Sequence, residues 1–456
     1  MGNLYMVHAF EVNNYFIALD VNSGSIHALD EVTYDILKAF PNGITRETVL
    51  KTFEDKYDSE IIDEVLDDIL QLKQQGLLYS EELDEDRLLS QLHRDTGIKA
   101  LCLHAAHDCN LGCEYCFASK GDYSTDKSLM SYEVACKSLD FLVENAGARR
   151  KVEIDFFGGE PLLNFDLIKK TVAYGKELEK RTDKEFHFTI TTNGTLLDQD
   201  KIDFINEHMD NVVISLDGRK DINDSMRPDR GKHGTHDKIV SKAKQLVNSR
   251  NGKQYYMRGT FTAKNLDFSE DVFHIANLGF KEVSVEPVVG SGEVFHLTMD
   301  HIPAILKEYD KLAIKYLDYT NKGKELNYYH FNINLYDGPC IHRRVVACGA
   351  GFEYLAVSPE GHLYPCHQFV GQTEFIMGDV YKGIDKPEMG ADFKDCNIFT
   401  KKECSSCWAK YFCSGGCHAN AYFSNDDIAI PNELACIMQK RRIECAMMVE
   451  MAKAGF

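Results

Sequence analysis

Residues 109–116 read Cys-Asn-Leu-Gly-Cys-Glu-Tyr-Cys, so three cysteines fall within eight positions. Thiolates bind zinc or iron-sulfur clusters. A closed zinc site takes four protein ligands, and only three are local here, although His104 and His107 could complete it. A 4Fe-4S cluster on three cysteines leaves one iron atom open to a small molecule. The spacing therefore indicates a reaction site, with structural zinc as the open alternative.

The segment around this motif, residues 98–325, alternates short apolar strands with helical stretches. Such alternation predicts parallel strands joined by crossover helices, in an open sheet or a barrel. Polar and glycine-bearing sequences follow successive strands, which is where α/β barrels build active sites. The predicted strands are Ala100–His104, Val152–Phe157, Phe186–Thr191, Val212–Leu216, Tyr255–Thr262 and Glu282–Val289, and the first four lead into residues 109–116, 158–161, 192–195 and 215–218.

The spacing Cys-x3-Cys-x2-Cys, with the aromatic Tyr115 before the last cysteine, resembles the signature of radical S-adenosylmethionine (SAM) enzymes. This resemblance implies an α/β fold with a partial (β/α)6 TIM-like barrel, and a 4Fe-4S cluster on the catalytic residues Cys109, Cys113 and Cys116. In that family SAM binds the open iron, and an electron cleaves it to a 5′-deoxyadenosyl radical that abstracts hydrogen from a C–H bond.

The same resemblance implies residues that bind SAM. Residues 158–161, Gly-Gly-Glu-Pro, match the family's motif for the SAM amino group, where glycine permits close backbone approach and Glu160 can offset a cation. Arg227 falls where the family binds the SAM carboxylate, with a solvated loop as the alternative. The full predicted set is Tyr115, Gly158, Gly159, Glu160, Thr192, Asn193, Ser215, Arg227 and Val288.

The C-terminal segment, residues 330–456, holds ten of the fifteen cysteines. Their order resembles the SPASM extension of radical SAM enzymes, which carries two auxiliary 4Fe-4S clusters; zinc ribbons are the alternative. Cys340 is one alternative for the fourth ligand of the auxiliary cluster whose other cysteines lie nearest to it in sequence. The other alternative is that this cluster has only three cysteine ligands and keeps one iron atom open for a substrate thiolate. The resemblance assigns Cys404, Cys407, Cys413 and Cys436 to one cluster and Cys348, Cys366 and Cys417 to the other, while Cys102, Cys136, Cys396 and Cys445 are expected to be structural.

The N-terminal segment, residues 1–85, predicts three antiparallel strands, then helices, then a short closing strand at Leu77–Tyr79. The helix that starts near Ser59 repeats apolar residues at spacings of three and four, and Gly76 can end it. This winged-helix-like layout resembles the precursor-peptide recognition element of enzymes that modify ribosomal peptides. A structural cap or a dimerisation module is the alternative.

Composition excludes some partners. The 456 residues suggest about three domains. The 51 basic and 71 acidic residues leave a formal charge of −20, which disfavours a nucleic-acid partner. No apolar run of about 18 residues occurs, so we expect no membrane span. The N-terminus lacks a secretion signal, which predicts a cytoplasmic protein whose clustered cysteines are ligands and not disulfides.

Together these segments resemble maturases of ribosomally made peptides that install thioether bridges from cysteine to carbon, most of all the maturases of SCIFF peptides. The resemblance implies SAM, three 4Fe-4S clusters, a Cys-rich precursor peptide bound through its leader, and an external low-potential electron donor. One alternative is a formylglycine-generating enzyme of the sulfatase-maturing branch, although His367 stands where that branch has a carboxylate. The other is a non-enzymatic iron-sulfur or zinc scaffold that binds peptides.

Overall fold

The computed structural model describes residues 6–92, 97–290, 292–333 and 345–456. The predicted cluster ligand Cys340 lies outside these ranges. Within them, no helix combines the length and the apolar character needed to cross a membrane.

The N-terminal part folds as a small antiparallel sheet followed by helices, in the predicted order. Asn13 and Asn14 have φ values of 51° and 66° and form the tight turn between the first two strands, a conformation that asparagine tolerates. The apolar stripe of the third helix is buried because its residues share one face. The elements are strands β1 (Val7–Val12), β2 (Tyr15–Asp20) and β3 (Ile26–Leu29), and helices α1 (Glu31–Ala39), α2 (Arg46–Phe53), α3 (Ser59–Gln74) and α4 (Glu85–Leu92).

The closing strand predicted at Leu77–Tyr79 is absent, so that prediction was wrong. Gly76 follows the end of α3 with φ of +71°, but the chain then bends instead of extending. Leu78 and Tyr79 are both 1% exposed, whereas successive residues of a strand point to opposite faces. The bend allows both side chains to enter the core of this module, where the Tyr79 hydroxyl donates to the carbonyl oxygen of Phe40 at 2.6 Å.

The central part of the chain confirms the predicted parallel sheet. All six predicted strands are present, with ends within two residues of the prediction, and a short seventh strand follows them. The parallel strands are β4 (Ala100–Ala106), β5 (Lys151–Gly158), β6 (Glu185–Thr192), β7 (Asn211–Ser215), β8 (Gln254–Phe261), β9 (Glu282–Pro287) and β10 (Asn327–Tyr328). The helices are α5 (Tyr132–Asn145), α6 (Phe165–Glu179), α7 (Gln199–His208), α8 (Lys220–Met226), α9 (His236–Asn248), α10 (Phe268–Asn277) and α11 (Ile302–Asn321), with short 3-10 helices at Ser119–Gly121, Pro161–Asn164, Met299–His301 and Tyr329–Phe331.

The parallel strands alternate between two environments. In β5, Val152, Ile154 and Phe156 are completely buried, while Glu153 and Asp155 between them are partly accessible. Alternate residues of a strand lie on opposite faces of the sheet. One face therefore packs against the helices, and the other, with its polar side chains, faces the concave interior, with all carboxyl ends at the same edge.

The C-terminal part extends the same sheet instead of forming a separate one. Its first strand pairs parallel with β4, with Tyr354 opposite Ala100 and Val357 opposite Leu103. This pairing brings the C-terminal cysteines close to the loop that follows β4. The elements are β11 (Tyr354–Val357), β12 (His362–Tyr364), β13 (Gly378–Asp379), β14 (Gly383–Ile384), a 3-10 helix at Thr373–Phe375, and helices α12 (Pro387–Asp395), α13 (Lys402–Ser405), α14 (Lys410–Cys413), α15 (His418–Asn425) and α16 (Glu433–Lys453).

The N-terminal module docks on α16 and α11. His8 in β1 stacks on Trp408, with ring centroids 3.8 Å apart, and its Nε2 lies 2.9 Å from Glu444. Arg441 of α16 donates to both carboxylate oxygens of Asp310 in α11, at 2.6 and 2.8 Å, and to the carbonyl oxygen of Glu11 at 3.2 Å. One arginine thus connects the three parts of the chain.

Candidate active site and metal centres

A cavity of about 140 Å³ opens at the carboxyl ends of β4 to β7. Cys109, Cys113 and Cys116 all line it. Burial raises the pKa of Cys109 to about 12 and that of Cys113 to about 11. A coordinated metal removes the proton from a thiol outright, so metal binding would overcome the cost of placing thiolates here.

Glycines bring the backbone close behind Cys109. Gly121 has φ of +104°, and a Cβ there would lie 2.6 Å from the Cβ of Cys109. A Cβ on Gly159 would lie 2.2 Å from the carbonyl oxygen of Asp108, and one on Gly158 would lie 2.4 Å from that of Ala106. Larger residues would push the cysteine loop away from the strand ends. Sequence reasoning selected Gly158 and Gly159 but missed Gly121.

Glu160 is completely buried and does not line the cavity. One carboxylate oxygen accepts from the backbone N–H of Leu162 at 3.0 Å and from the Thr192 hydroxyl at 2.8 Å; the other accepts from the backbone N–H of Asn193 at 2.8 Å. Burial raises its pKa, and these hydrogen bonds oppose the rise. In this structure the carboxylate joins the end of β5 to the end of β6.

Arg227 reaches the cavity through a buried polar chain. Its Nη1 donates to the Tyr115 hydroxyl at 2.8 Å, and that hydroxyl donates to both carboxylate oxygens of Asp217, each at 2.8 Å. Burial raises the pKa of Asp217 to about 6, although Arg227 and Tyr115 oppose it. Sequence reasoning placed Asp217 at a strand end but did not include it in the site.

Arg227 also has unused hydrogen-bonding capacity. It is 7% exposed, and its buried Nε has no hydrogen-bond partner among the described residues. A buried guanidinium donor without a partner is costly, so an anionic ligand in the cavity would stabilise it. The SAM carboxylate fits this requirement. Ser215 lines the same cavity from the end of β7.

The remaining predicted residues divide into two cases. Thr192 and Asn193 line the cavity, and the Asn193 side-chain amide donates to Asn110 Oδ1 at 2.9 Å. Its Nδ2 also lies 3.7 Å from the Cys109 sulfur. Val288 is buried after β9 and is not among the residues that line the cavity.

Arg230 supports the cysteine loop from outside. Its Nε donates to the carbonyl oxygen of Cys109 at 3.0 Å, and its Nη2 donates to that of Lys120 at 2.8 Å. The guanidinium thus ties together the two ends of the loop. Nothing in the local spacing of the sequence marks this role.

The two histidines that could have completed a zinc site lie outside the cavity of the three cysteines, and the buried Nε2 of His104 has no hydrogen-bond partner among the described residues. His104 and His107 are buried, with Nδ1 of His104 lying 3.2 Å from Nε2 of His107. The other ring nitrogen of His107 lies 3.0 Å from the Thr125 hydroxyl. Neither ring lines the cavity with the three cysteines.

Four predicted cluster ligands near the C-terminus line one cavity of about 500 Å³. We call Cys404, Cys407, Cys413 and Cys436 group B. Burial raises the pKa of Cys404 to about 12 and that of Cys436 to about 11, and neighbouring thiols of the group add to both shifts. The fold therefore gathers cysteines that span 33 positions of the sequence.

The other predicted ligands are also brought together. We call Cys348, Cys366 and Cys417 group A. Burial raises the pKa of Cys366 and of Cys348, and the nearby Cys417 thiol raises each further. Cys417 comes from the start of α15, so it returns to the two earlier cysteines from beyond most of group B.

A third cavity, of about 330 Å³, joins the barrel to both groups. Glu286 and His330 line it from the barrel side, Cys417 from group A, and Cys413 and Cys436 from group B. Its position between the strand ends and the cysteine groups leaves room for a side chain of a bound molecule.

The donor sets consist of cysteines, which are ligands of both iron-sulfur clusters and structural zinc. Among the described residues, no three His, Cys, Asp or Glu side chains converge as the ligands of one metal ion would. Each cysteine of a 4Fe-4S cluster binds a different iron atom, so its sulfurs stand apart around a cavity. Of the cysteines outside these sets, Cys102, Cys396 and Cys445 are buried, and Cys136 is partly buried.

Comparison with known proteins identifies the family. Residues 105–258 match the Radical SAM superfamily. An uncharacterized protein of Methanocaldococcus jannaschii is 33% identical over 221 residues, which cover 48% of this chain and 71% of that protein. The cysteine-type anaerobic sulfatase-maturating enzyme of Clostridium novyi is 25% identical over 346 residues, covering 71% of this chain and 88% of that one. The chain belongs to the radical SAM superfamily.

Solved structures agree with this fold. Native anSMEcpe with bound AdoMet superimposes with a TM-score of 0.65 at 20% identity, covering 79% of this chain and all of that one. Streptococcus suis SuiB bound to S-adenosylmethionine gives a TM-score of 0.54 at 17% identity, covering 95% and 99%. The fold and family imply a radical SAM enzyme that uses SAM and a 4Fe-4S cluster.

Proposed function

We propose that this radical SAM enzyme installs a thioether cross-link from cysteine to carbon in a ribosomally made, Cys-rich precursor peptide. Cys109, Cys113 and Cys116 would hold the cluster that binds SAM. Gly158, Gly159 and Arg227, with the other cavity residues, would position SAM.

The observation that carries the proposal is the placement of groups A and B beside the barrel. Seven cysteines from residues 348–436 lie in two groups, and the cavity of about 330 Å³ reaches both from the strand ends. Two auxiliary 4Fe-4S clusters in these groups would face a substrate at the barrel mouth. Such clusters suit an oxidation that must pass an electron out of the substrate.

The N-terminal module supports a peptide substrate. Its three-stranded sheet leaves β3 at an edge, and an edge strand can pair with an extended peptide through backbone hydrogen bonds. Contacts from β1 to α16 and to Trp408 hold the module against the C-terminal part. SuiB, crystallised with its precursor peptide SuiA, superimposes on 95% of this chain at a TM-score of 0.51, a coverage that includes most of this module.

When bound, SAM and the clusters would supply the redox chemistry: SAM would provide the radical that removes one hydrogen atom from the acceptor carbon, and an auxiliary cluster would accept the second electron. The peptide loses two hydrogen atoms per cross-link, one to 5′-deoxyadenosine and one as the thiol proton with its electron. Arg227, whose buried Nε lacks a hydrogen-bond partner among the described residues, would hold the SAM carboxylate.

The test uses anaerobically reconstituted protein with reductant, SAM and a Cys-rich precursor. We expect the peptide to lose two hydrogen masses per cross-link and the corresponding cysteine to resist alkylation. Mass spectrometry with and without a thiol-alkylating reagent measures both. Unchanged peptide alongside normal SAM cleavage would rule out this substrate class.

A second candidate is formylglycine formation in a protein cysteine or serine. The 25% identity to the Clostridium novyi enzyme favours it. Deletion of residues 1–80 distinguishes the two functions, because thioether formation should need the N-terminal module and formylglycine formation should not. His367, which follows Cys366, argues against this candidate: its Nδ1 lies 3.0 Å from the Tyr354 hydroxyl, and burial lowers its pKa to about 4.

We also propose a cytoplasmic location and an external low-potential reductant. Reduced cytoplasmic thiols suit cysteines that serve as cluster ligands. On a chain with a formal charge of −20, the reductant would dock through local complementarity and not through overall attraction.

A further inference from the structure

Lys401 is a buried cation between the two C-terminal cysteine groups. It is 1% exposed, and its ammonium donates to the carbonyl oxygen of Gly415 at 3.0 Å. Its side chain also contacts the Cys396 thiol, and no ion pair among the described residues includes its ammonium. Removing an ammonium from water without an anionic partner is unfavourable, as it is for any isolated buried ion. Its burial therefore calls for a source of negative charge that the side chains nearby do not provide.

The position of Lys401 indicates that source. Gly415, whose carbonyl accepts its hydrogen bond, lies in the wall shared by the cavity of about 500 Å³ and the cavity of about 330 Å³. The lysine backbone is also part of the group B framework, since the N–H of Cys404 donates to the Lys401 carbonyl at 3.0 Å.

The charge of Lys401 acts on thiols of both groups. In group B it opposes the effect of burial on the pKa of Cys404 and of Cys436, and in group A it does the same for Cys348. A cluster held by four thiolates carries net negative charge, and the ligand thiolates of each cysteine group are themselves negatively charged. Lys401 would therefore be stabilised by two anionic clusters at once, in a low-dielectric interior where charge interactions are strong.

We propose that Lys401 is the shared internal counter-cation of the two auxiliary clusters and raises the reduction potential of both. This proposal rests on the proposed function, which supplies the two clusters. A fixed positive charge favours the reduced form of a cluster, because that form carries one more negative charge. Lys401 would act as a positioning residue for electron transfer, setting how readily the clusters accept the electron that leaves the substrate.

The test compares holoenzyme variants by redox titration followed by electron paramagnetic resonance. In Lys401→Met and Lys401→Gln we expect the midpoint potentials of both auxiliary clusters to fall. The expected decrease is a roughly tenfold lower ratio of reduced to oxidised cluster at a given applied potential, which is about 59 mV for a one-electron couple. Lys401→Arg should keep the wild-type potentials. The cluster on Cys109, Cys113 and Cys116 is the internal reference and should not shift.

The neighbouring Lys402 is exposed and provides the matched control, Lys402→Met, which should leave all potentials unchanged. If the neutral variants assemble less iron while Lys401→Arg loads fully, that result also supports a role for the charge. Unchanged auxiliary potentials in fully loaded Lys401→Met would overturn the inference while leaving the proposed function intact. Absence of auxiliary clusters in the wild-type enzyme would overturn both, and iron and sulfide content separates these outcomes.

Discussion

The loop that carries Cys109, Cys113 and Cys116 and the C-terminal cysteine groups bring their predicted cluster ligands together in different ways. In the loop, three ligands lie within eight residues, and Gly121, Gly159 and Arg230 hold the backbone that carries them. In groups A and B the ligands are spread over residues 348–436 and meet only because loops and helices from separate parts of this segment pack together. A loop of local ligands depends on a few backbone contacts, whereas the dispersed groups depend on the packing of a whole region and on the buried charge of Lys401.

The largest expected effect comes from removing the local ligands. With Cys109, Cys113 and Cys116 all changed to Ala, we expect no 5′-deoxyadenosine, because no cluster would remain to bind and reduce SAM. Iron analysis should still find about eight of about twelve iron atoms, at about four per cluster. The control is Cys136→Ala on α5, which should keep full activity. Persistent SAM cleavage in the triple variant would show that the wrong cysteines were assigned.

Replacing one ligand of group B should abolish peptide cross-linking without abolishing SAM cleavage. In Cys436→Ala we expect loss of about four iron atoms and of peptide cross-linking, since group B loses a ligand from α16. Uncoupled SAM cleavage should continue, because the cavity near Cys109 is independent of that helix. Iron content, 5′-deoxyadenosine and peptide mass measure the three effects.

The control for that variant is Cys396→Ala. Cys396 is buried and its thiol donates to the carbonyl oxygen of Ile428 at 3.3 Å, outside group B. The Cys396→Ala variant should therefore retain the iron content of the wild-type enzyme. Equal iron loss in both variants would mean that Cys436 acts only through packing.

A smaller effect should follow from crowding the local loop. Gly121→Ala adds a methyl group 2.6 Å from the Cβ of Cys109 and strains a backbone with φ of +104°. Such backbone strain alone costs about 1–3 kcal/mol. We expect SAM cleavage to fall by about tenfold or more, since 1.4 kcal/mol already corresponds to tenfold.

Gly279→Ala is the matched control, because φ there is +100° but no atom lies within 4 Å of the new methyl group. It should lower the melting temperature slightly and leave SAM cleavage unchanged. If both variants lose activity equally, the close approach to Cys109 is not what matters.

The smallest effect should come from Arg230, which supports the cysteine loop from outside. Arg230→Gln removes hydrogen bonds from a charged donor to the carbonyl oxygens of Cys109 and Lys120. Arg230 is 42% exposed, so solvent weakens the loss, and we expect about a fivefold drop in 5′-deoxyadenosine formation. Arg230→Lys should recover part of it, and Lys232→Gln on the exposed loop nearby should have no effect. An equal decrease in 5′-deoxyadenosine formation in Arg230→Gln and Arg230→Lys would argue against a role for the two hydrogen bonds of the guanidinium group.

Sequence reasoning was most reliable where structure follows from local pattern. The strand positions in the central sheet and the apolar stripe of α3 both arise from periodicity. The closing strand at Leu77–Tyr79 failed because burial of two adjacent side chains decided the backbone there. Val288 lies outside the cavity for a similar reason, since the packing at the end of β9 sets where that side chain goes.

The residues that sequence reasoning missed act across long separations. Asp217 meets Tyr115 across 102 positions, and Arg230 meets Cys109 across 121. Lys401 is one of many lysines until the fold buries it between two cysteine groups. No local spacing records such meetings, because they depend on how strands and helices pack.

The sequence by itself determined the cysteine motif, the strand and helix pattern, and the Gly158–Gly159 pair, since each is visible in a short stretch of the chain. Only the tertiary structure decided that Cys417 returns to Cys348 and Cys366, that α16 closes group B, and that Arg441 joins the three parts of the chain. The reason is physical: coordination geometry and burial depend on distances in space, and those distances are set by the packing of the whole sheet and its helices.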